Sequence, residues 1–206
     1  MNFTPKITWN NEIDNRRFLD PDIETQFIFH SRLHYRTGRW DYATGISLSW
    51  AYASQAENSV RHAVMEARPV IEASYEIPMR KLFLSQRLRI DNRFIEEDKF
   101  NNIFDGSDYI MRLRYRVQTR VPLKRDENGI PLITLRIANE IMVNHRENFF
   151  DQNRIYMTSE FIINRHWAFE AGYIYIYQQR FGKDEFFERH VLRLSLTHKL
   201  FFYSAG

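Results

Sequence analysis

The stretch Tyr109 to Val121, YIMRLRYRVQTRV, decides the fold. Taken at every second residue, Met111, Leu113, Tyr115, Val117 and Val121 face one way, and Arg112, Arg114, Arg116, Gln118 and Arg120 face the other. Successive side chains of a β-strand point to opposite faces, so a strand sorts these residues into an apolar row and a cationic row. Wound as a helix, the same arginines would scatter around the axis. The segment therefore reads as a strand with two chemically distinct faces.

The pattern recurs outward from this stretch. Asp41 to Ala53 puts Tyr42, Thr44, Ile46, Leu48, Trp50 and Tyr52 on one side and small or polar residues on the other. Comparable alternation runs through Thr8 to Arg17, Phe27 to Arg36, Arg68 to Ile77, Leu82 to Arg93, Ile133 to Asn144, Gln152 to Ile163, Trp167 to Gln178 and Arg189 to Phe202. Short links are predicted at Thr37 to Arg39, Pro78 to Lys81 and Asn164 to His166. Longer ones are predicted at Phe18 to Thr25, Ser54 to Ala63, Phe94 to Asp108 and Gln179 to Glu188. The links Pro122 to Leu132 and His145 to Asp151 blur this alternation of short and long. Segments of about ten alternating residues joined by alternately short and long links are the mark of a transmembrane antiparallel up-and-down β-barrel. The prediction is an all-β fold of about ten strands, in one domain over residues 1–206.

Composition agrees with that reading. Aromatic residues make up 16% of the chain, with 17 Phe, 11 Tyr and 4 Trp, and aromatic girdles at the two membrane interfaces are a place to put them. Among the 29 basic residues only Lys6, Lys81, Lys99, Lys124, Lys183 and Lys199 are lysines, and these sit near turns and ends. The arginines fill strand faces. A planar guanidinium makes several fixed hydrogen bonds to carboxylates, which suits a confined polar interior better than open water. No stretch approaches the roughly 18 apolar residues of a membrane helix. Met1 to Arg17 has no apolar segment of a secretory leader, so the expectation for an exported barrel is that a leader has been removed. The formal charge of +3 does not point to nucleic acid as a partner. With no cysteine, thiol catalysis and Cys-based metal sites are excluded.

Alternation alone does not say which face looks out. A soluble barrel that binds a lipid or other apolar ligand would put the apolar rows inside, and this is the rival reading. Aromatics near strand ends with aliphatics between them, as in Trp40, Tyr42, Ile46, Leu48, Trp50 and Tyr52, favour the apolar face outside. The predicted girdle is Trp9, Trp40, Tyr42, Trp50, Tyr52, Trp167, Tyr177 and Phe202. The predicted lumen network is Arg68, Glu72, Glu76, Arg87, Arg89, Asp91, Arg93, Arg112, Arg114, Arg116, Arg136, Glu140, Arg154, Glu160, Glu170 and Arg193. Gln86, Asn139, Ser159 and His198 fall on the apolar rows, and Ile174 and Ile176 on the polar one. Bulges that switch a strand's facing, or shifted boundaries, are the expected cause.

The motifs "QRLRIDNR" with Arg87, Arg89 and Arg93, "RLRYR" with Arg112, Arg114 and Arg116, "ANEIM" with Glu140, "FDQNR" over Asp151 to Arg154 and "EAGY" over Glu170 to Tyr173 carry a resemblance. Over nearly its whole length the chain resembles the uncharacterised outer-membrane β-barrels of Gram-negative Bacteroidetes that form a domain of unknown function. The resemblance implies an outer-membrane location and a charged interior, and it brings no reaction, cofactor or catalytic residue. The chain departs from the usual terminal aromatic, since Leu200, Phe201, Phe202 and Tyr203 are followed by Ser204, Ala205 and Gly206.

Candidate chemistry is sparse. Rings of arginine are able to select anions in a pore, but in so narrow a barrel long side chains meet across the lumen and form a salt-bridged plug. His145 near Asp151 and His190 near Glu188 are the candidates for a hydrolase, without any nucleophile motif beside them. His30 and His34 flank Arg32 on the polar face and lack a third ligand, so no metal site is assigned. The acidic run Glu96, Glu97, Asp98, Asp105 and Asp108 lacks the ligand spacing of a calcium loop. The expectation is a non-enzymatic, cofactor-free outer-membrane barrel. It would be a structural or accessory component or a mostly closed channel, with membrane lipid around it and long loops as the place where a protein partner would bind.

Overall fold

The computed structural model describes residues 1–20, 22–52, 63–96, 106–146, 148–180 and 184–202. Ten strands follow one another in chain order: β1 Ile7–Leu19, β2 Asp22–Thr37, β3 Trp40–Tyr52, β4 Ala63–Pro78, β5 Phe83–Glu96, β6 Ser107–Arg125, β7 Pro131–Asn144, β8 Phe150–Ile162, β9 Trp167–Gln179 and β10 Phe186–His198. Each pairs antiparallel with the next, giving one ten-stranded up-and-down sheet. Among the described residues there is no helix.

Each predicted strand is present, and the differences lie at the ends. β1 and β2 extend toward each other until only residues 20 and 21 separate them, so the expected long link at Phe18 to Thr25 is a tight hairpin. There Arg17 and Asp22 form an ion pair, with Arg17 Nε donating to Asp22 Oδ1 at 2.7 Å. The expected link Pro122 to Leu132 shrinks in the same way to 126–130. Two register shifts near Pro122, Lys124 and Arg125 let the ladder pass the proline, which has no N–H to donate. β10 ends at His198 instead of Phe202, because the chain beyond it bonds elsewhere. Lys199 N donates to His166 O at 2.7 Å, and Phe202 N donates to Asn2 O at 2.9 Å. Tyr52, Ala63, Glu96 and Ser107 mark one end of the sheet, the loop end, and Ile7 and His198 mark the other, the terminal end.

The sheet is curled and barrel-like. Arg193 of β10 reaches Glu12 of β1, nine strands away in chain order, with Nη2 to Oε1 at 2.9 Å. Among the described residues no ladder joins β1 to β10. Asn2 ties the seam at the terminal end, where its N–H donates to Leu200 O at 2.7 Å. Glycines on the concave face permit the bend. A Cβ built on Gly45 would lie 2.8 Å from Arg32 Cα, and one on Gly172 would lie 2.8 Å from the Met157 carbonyl oxygen. Neighbouring backbones therefore fold in over these positions more closely than any other residue permits.

The two faces differ as the alternation requires. Facing inward are Ile28, His30, Ser47, Ser49, Val70, Arg89, Asp91, Arg112, Glu140 and Met142, all buried. A small apolar cluster of Ala138, Tyr156, Ile174 and Ile176 lies among them, with Val191 against it. The convex face carries Ile46, Ile71, Leu88, Leu113, Ile137, Ile141, Ile155, Met157 and Leu194, all exposed. The expected facing switches are absent at the misfit residues. The ladders run unbroken through Gln86, Asn139 and Ser159, so Ile174 and Ile176 do point inward and these polar residues outward. On the convex face Tyr115 donates to Gln86 at 2.8 Å, Asn139 bonds Asn153 at 2.9 Å and His198 stacks on Trp167 at 4.2 Å.

Candidate functional site

The concave face is built around two carboxylates with no exposure at all, Asp91 and Glu140. Glu140 accepts from Arg87 Nη2 at 2.6 Å, Arg114 Nη2 at 2.9 Å and the Tyr156 hydroxyl at 2.8 Å. Asp91 accepts from Arg89 Nε at 2.5 Å and Arg114 Nη1 at 3.3 Å. Arg114 thus bridges the two acids. Toward the loop end, Glu66 takes Arg68 and Arg93, each with an Nε bond to Oε1, at 2.9 and 2.6 Å. Arg112 pairs with Asp151 at 2.9 Å. Toward the terminal end the groups are more open: Arg136 pairs with Glu160 at 2.7 Å and Glu170 at 2.8 Å, and Arg120 pairs with Glu76.

Register explains these pairings. Cα partners across β5 and β6 set Arg87 against Arg116, Arg89 against Arg114 and Asp91 against Arg112. Like charges directly opposite destabilise a sheet, and Glu140, which the β6–β7 register sets directly opposite Arg116, offsets them by pairing with Arg87 and Arg114. Removal from water costs each ion several kcal/mol unless hydrogen bonds replace its hydration, as they do here for Asp91 and Glu140.

All sixteen expected network residues face this side, but not all are ion-paired. Arg116 and Arg154 have no carboxylate within ion-pair distance among the described residues. The Arg116 guanidinium lies 4.3 Å from the Tyr156 ring centroid, and Arg154 Nε donates to Gln152 at 2.8 Å. Sequence reading missed Glu12, Arg32, Glu66, Asp151 and Tyr156. Tyr156 shares its face with Arg154, two residues away, so parity alone would have found it. Glu66 lies before the predicted start of its strand, Arg68.

Most of the aromatic girdle falls into two bands on the convex side. At the terminal end Trp40 packs on Tyr75 at 4.8 Å, Phe3 stacks on Trp9 at 6.4 Å and on Phe202 at 5.6 Å, and Trp167 meets His198. At the loop end Trp50 packs on Phe27 at 5.9 Å, Phe94 on Tyr109 at 5.2 Å and Tyr177 on Phe186 at 5.2 Å. Tyr42 stacks on Trp40 at 5.7 Å, and Tyr52 ends β3 on the loop side.

The histidine candidates do not form dyads with the acids proposed for them. His145 Nδ1 accepts from Met111 N at 2.9 Å, while Asp151 is held by Arg112. His190 bonds the Tyr173 hydroxyl on the convex face. His30 Nδ1 bonds Ser47 at 2.6 Å and His34 Nδ1 bonds Asp41 at 2.8 Å. Among the described residues no three His, Asp or Glu side chains converge as metal ligands. Of the acidic run, Glu97, Asp98 and Asp105 lie outside the described residues. Glu96 accepts from Met65 N at 3.0 Å, and Asp108 pairs with Arg146 at 2.8 Å.

Two hollows remain. The larger, about 540 Å³, lies among Leu33, Tyr35, Tyr42, Ile71, Leu88 and Ile90 on the apolar rows and exposes almost no polar surface. The smaller, about 180 Å³, is polar and lies on the concave face, lined by Glu72, Ser74, Ser85, Arg87, Arg116 and Gln118.

No curated protein and no solved structure matches the chain. A family model does, over residues 1–187, and that span holds nine of the ten strands and all but one of the sixteen predicted network residues. The chain belongs to the family described as protein of unknown function (DUF2490).

Proposed function

We propose that this protein is a β-barrel of the Gram-negative outer membrane whose lumen is sealed by its own salt bridges, acting as a structural or accessory component and not as an open pore. The observation that carries this reading is the convex face: exposed aliphatic rows bounded by an aromatic band at each end. On β9, Trp167 and Tyr177 are about 33 Å apart along the strand at roughly 3.3 Å per residue. A strand tilted by about 40° reduces this to a height of about 25 Å, the height of the apolar band in barrels of this class. In water, so continuous an apolar surface is a liability. The charged concave face, where Asp91 and Glu140 are wholly buried, supports a filled lumen. It also speaks against the rival soluble barrel, whose cavity would have to hold an apolar ligand.

In a bilayer the seam between β1 and β10 closes by backbone pairing, since unpaired N–H and C=O groups are costly in hydrocarbon. Cell fractionation with gel migration of boiled and unboiled samples tests the location. The protein is expected in the outer-membrane fraction, with faster migration before heating. Recovery as a detergent-free monomer without heat-modifiable migration refutes it. Planar-bilayer recording tests the plug: a stable anion-favouring conductance that changes on Arg114 or Arg116 replacement overturns the sealed reading.

A further inference from the structure

Arg116 stands apart from the rest of the concave network. It lies directly across one ladder from Arg87 and across the other from Glu140. Yet, like Arg154, it has no carboxylate within ion-pair distance among the described residues, and unlike Arg154 it borders a polar hollow beside a second arginine. Arg87 gives Nη2 to Glu140 at 2.6 Å, while the Nε groups of both Arg87 and Arg116 are buried without a bonding partner among the described residues. Both line the polar cavity of about 180 Å³ together with Ser74, Ser85 and Gln118, where the Ser85 hydroxyl makes only a long bond, 3.5 Å, to the Gln118 carbonyl oxygen. These groups offer hydrogen-bond donors from three adjacent strands around one small space. At roughly 30 Å³ per water the volume holds about six waters, enough for a small tetrahedral anion with part of its hydration.

The remaining lining group has the opposite character. Glu72 is 7% exposed; its Oε2 has no hydrogen bond and lies 3.6 Å from Arg87 Nη1. A fully deprotonated anion would meet repulsion there. An anion that retains one proton would donate it to the Glu72 carboxylate and present its other oxygens to Arg87, Arg116, Ser74, Ser85 and Gln118. Near neutral pH phosphate retains such a proton and sulfate does not.

We infer that the cavity between β4, β5 and β6 is a binding site for inorganic phosphate, with Arg116 and Arg87 as the charge partners and Glu72 as the acceptor that selects phosphate over sulfate. A site built to hydrogen-bond a ligand hydroxyl rejects analogues that lack it, because its buried acceptor is left unpaired. The site follows from the concave-face geometry and does not depend on where the protein resides.

Isothermal titration of the full chain with inorganic phosphate and with sulfate near neutral pH tests this. Phosphate is expected to bind at least about tenfold more tightly than sulfate. Arg116→Gln, which leaves no carboxylate unpaired, is expected to weaken phosphate at least about tenfold, and Ser85→Ala a few fold. Glu72→Gln is expected to narrow the phosphate-to-sulfate ratio by about tenfold or more by admitting sulfate. Circular dichroism identifies variants that retain the wild-type fold. The inference is overturned if the wild-type protein binds neither anion, or if it binds both equally. It is also overturned if folded Arg116→Gln binds phosphate as the wild type does, or if folded Glu72→Gln leaves the ratio unchanged.

Discussion

Replacing Glu140 with glutamine removes one charge and no volume, and it tests whether the concave network holds the sheet together. Glu140 is fully buried and accepts three hydrogen bonds, from Arg87, Arg114 and Tyr156. Hydrogen bonds to a charged group are worth about 1.5–3 kcal/mol each. The glutamine keeps one carbonyl acceptor and turns an amide N–H₂ toward a guanidinium. Two buried arginines then lose their shared counter-ion, and breaking a buried pair costs about 3–5 kcal/mol. At about 1.4 kcal/mol per factor of ten, the folded-to-unfolded ratio should fall by at least about a hundredfold. Urea unfolding followed by tryptophan fluorescence, with the protein in lipid vesicles, reads this as a shifted midpoint at constant slope. Combining Arg114→Met with Glu140→Gln removes one of the stranded cations, so the double variant should be more stable than the sum of the single effects by at least about 1 kcal/mol. A Glu140→Gln loss below about 1 kcal/mol, or strict additivity with Arg114→Met, refutes the argument that this cluster acts as a unit.

Other outcomes follow from different parts of the molecule. Ile71→Arg places a charge mid-strand on the convex face and should cost about 2–4 kcal/mol in vesicles if that face meets lipid; an exposed change in water would stay within about 0.5 kcal/mol, so the same unfolding assay separates the two. Gly45→Val should cost at least about 1–3 kcal/mol, because β2 leaves no room for a Cβ there; differential scanning calorimetry would register the drop, and an unchanged melting temperature would refute the role given to this glycine in the curl. At the β1–β2 hairpin tip, the hydrogen bond from Arg17 holds the Asp22 carboxyl below its ordinary value. A depressed folded-state value means the contribution is present above the ordinary carboxylate range and lost as pH falls through the lowered value. Amide protection at the tip, taken relative to the intrinsic exchange rate at each pH, should therefore fall under strong acid in the wild type and be low already at neutral pH in Asp22→Asn.

The curl has consequences for how the charges are shared. A flat sheet would leave Arg87 and Arg116, and Arg89 and Arg114, as like-charged cross-strand pairs. Register already sets Glu140 of β7 opposite Arg116; from there it accepts from Arg87 and Arg114, and bending brings Tyr156 of β8 over the same group. The acids are distributed unevenly, so that Asp91 and Glu140 neutralise Arg87, Arg89 and Arg114 while Arg116 is left against an aromatic ring. That unevenness distinguishes the cavity beside Arg116 from the rest of the network.

Local alternation alone determined that the chain is β, that it has ten strands, and which residues share a face. Strand geometry has a period of two, and parity survives errors in strand ends. Strand ends themselves were less legible: β1 and β2 outrun their alternating cores to form a tight hairpin, because backbone pairing continues where side-chain pattern has faded. The misfit residues, which would be explained by bulges if pattern were the whole story, keep their parity. Gln86 and Asn139 are satisfied on the convex face by partners on neighbouring strands. Which arginine meets which acid was decided only by register and curvature, since both depend on contacts between residues far apart in the chain. Glu12 with Arg193 and Glu140 with Arg87 have no local signal at all. For the same reason, the sequence showed an arginine-rich face, while only the tertiary structure singled out Arg116 as the one beside a polar cavity and across from Arg87.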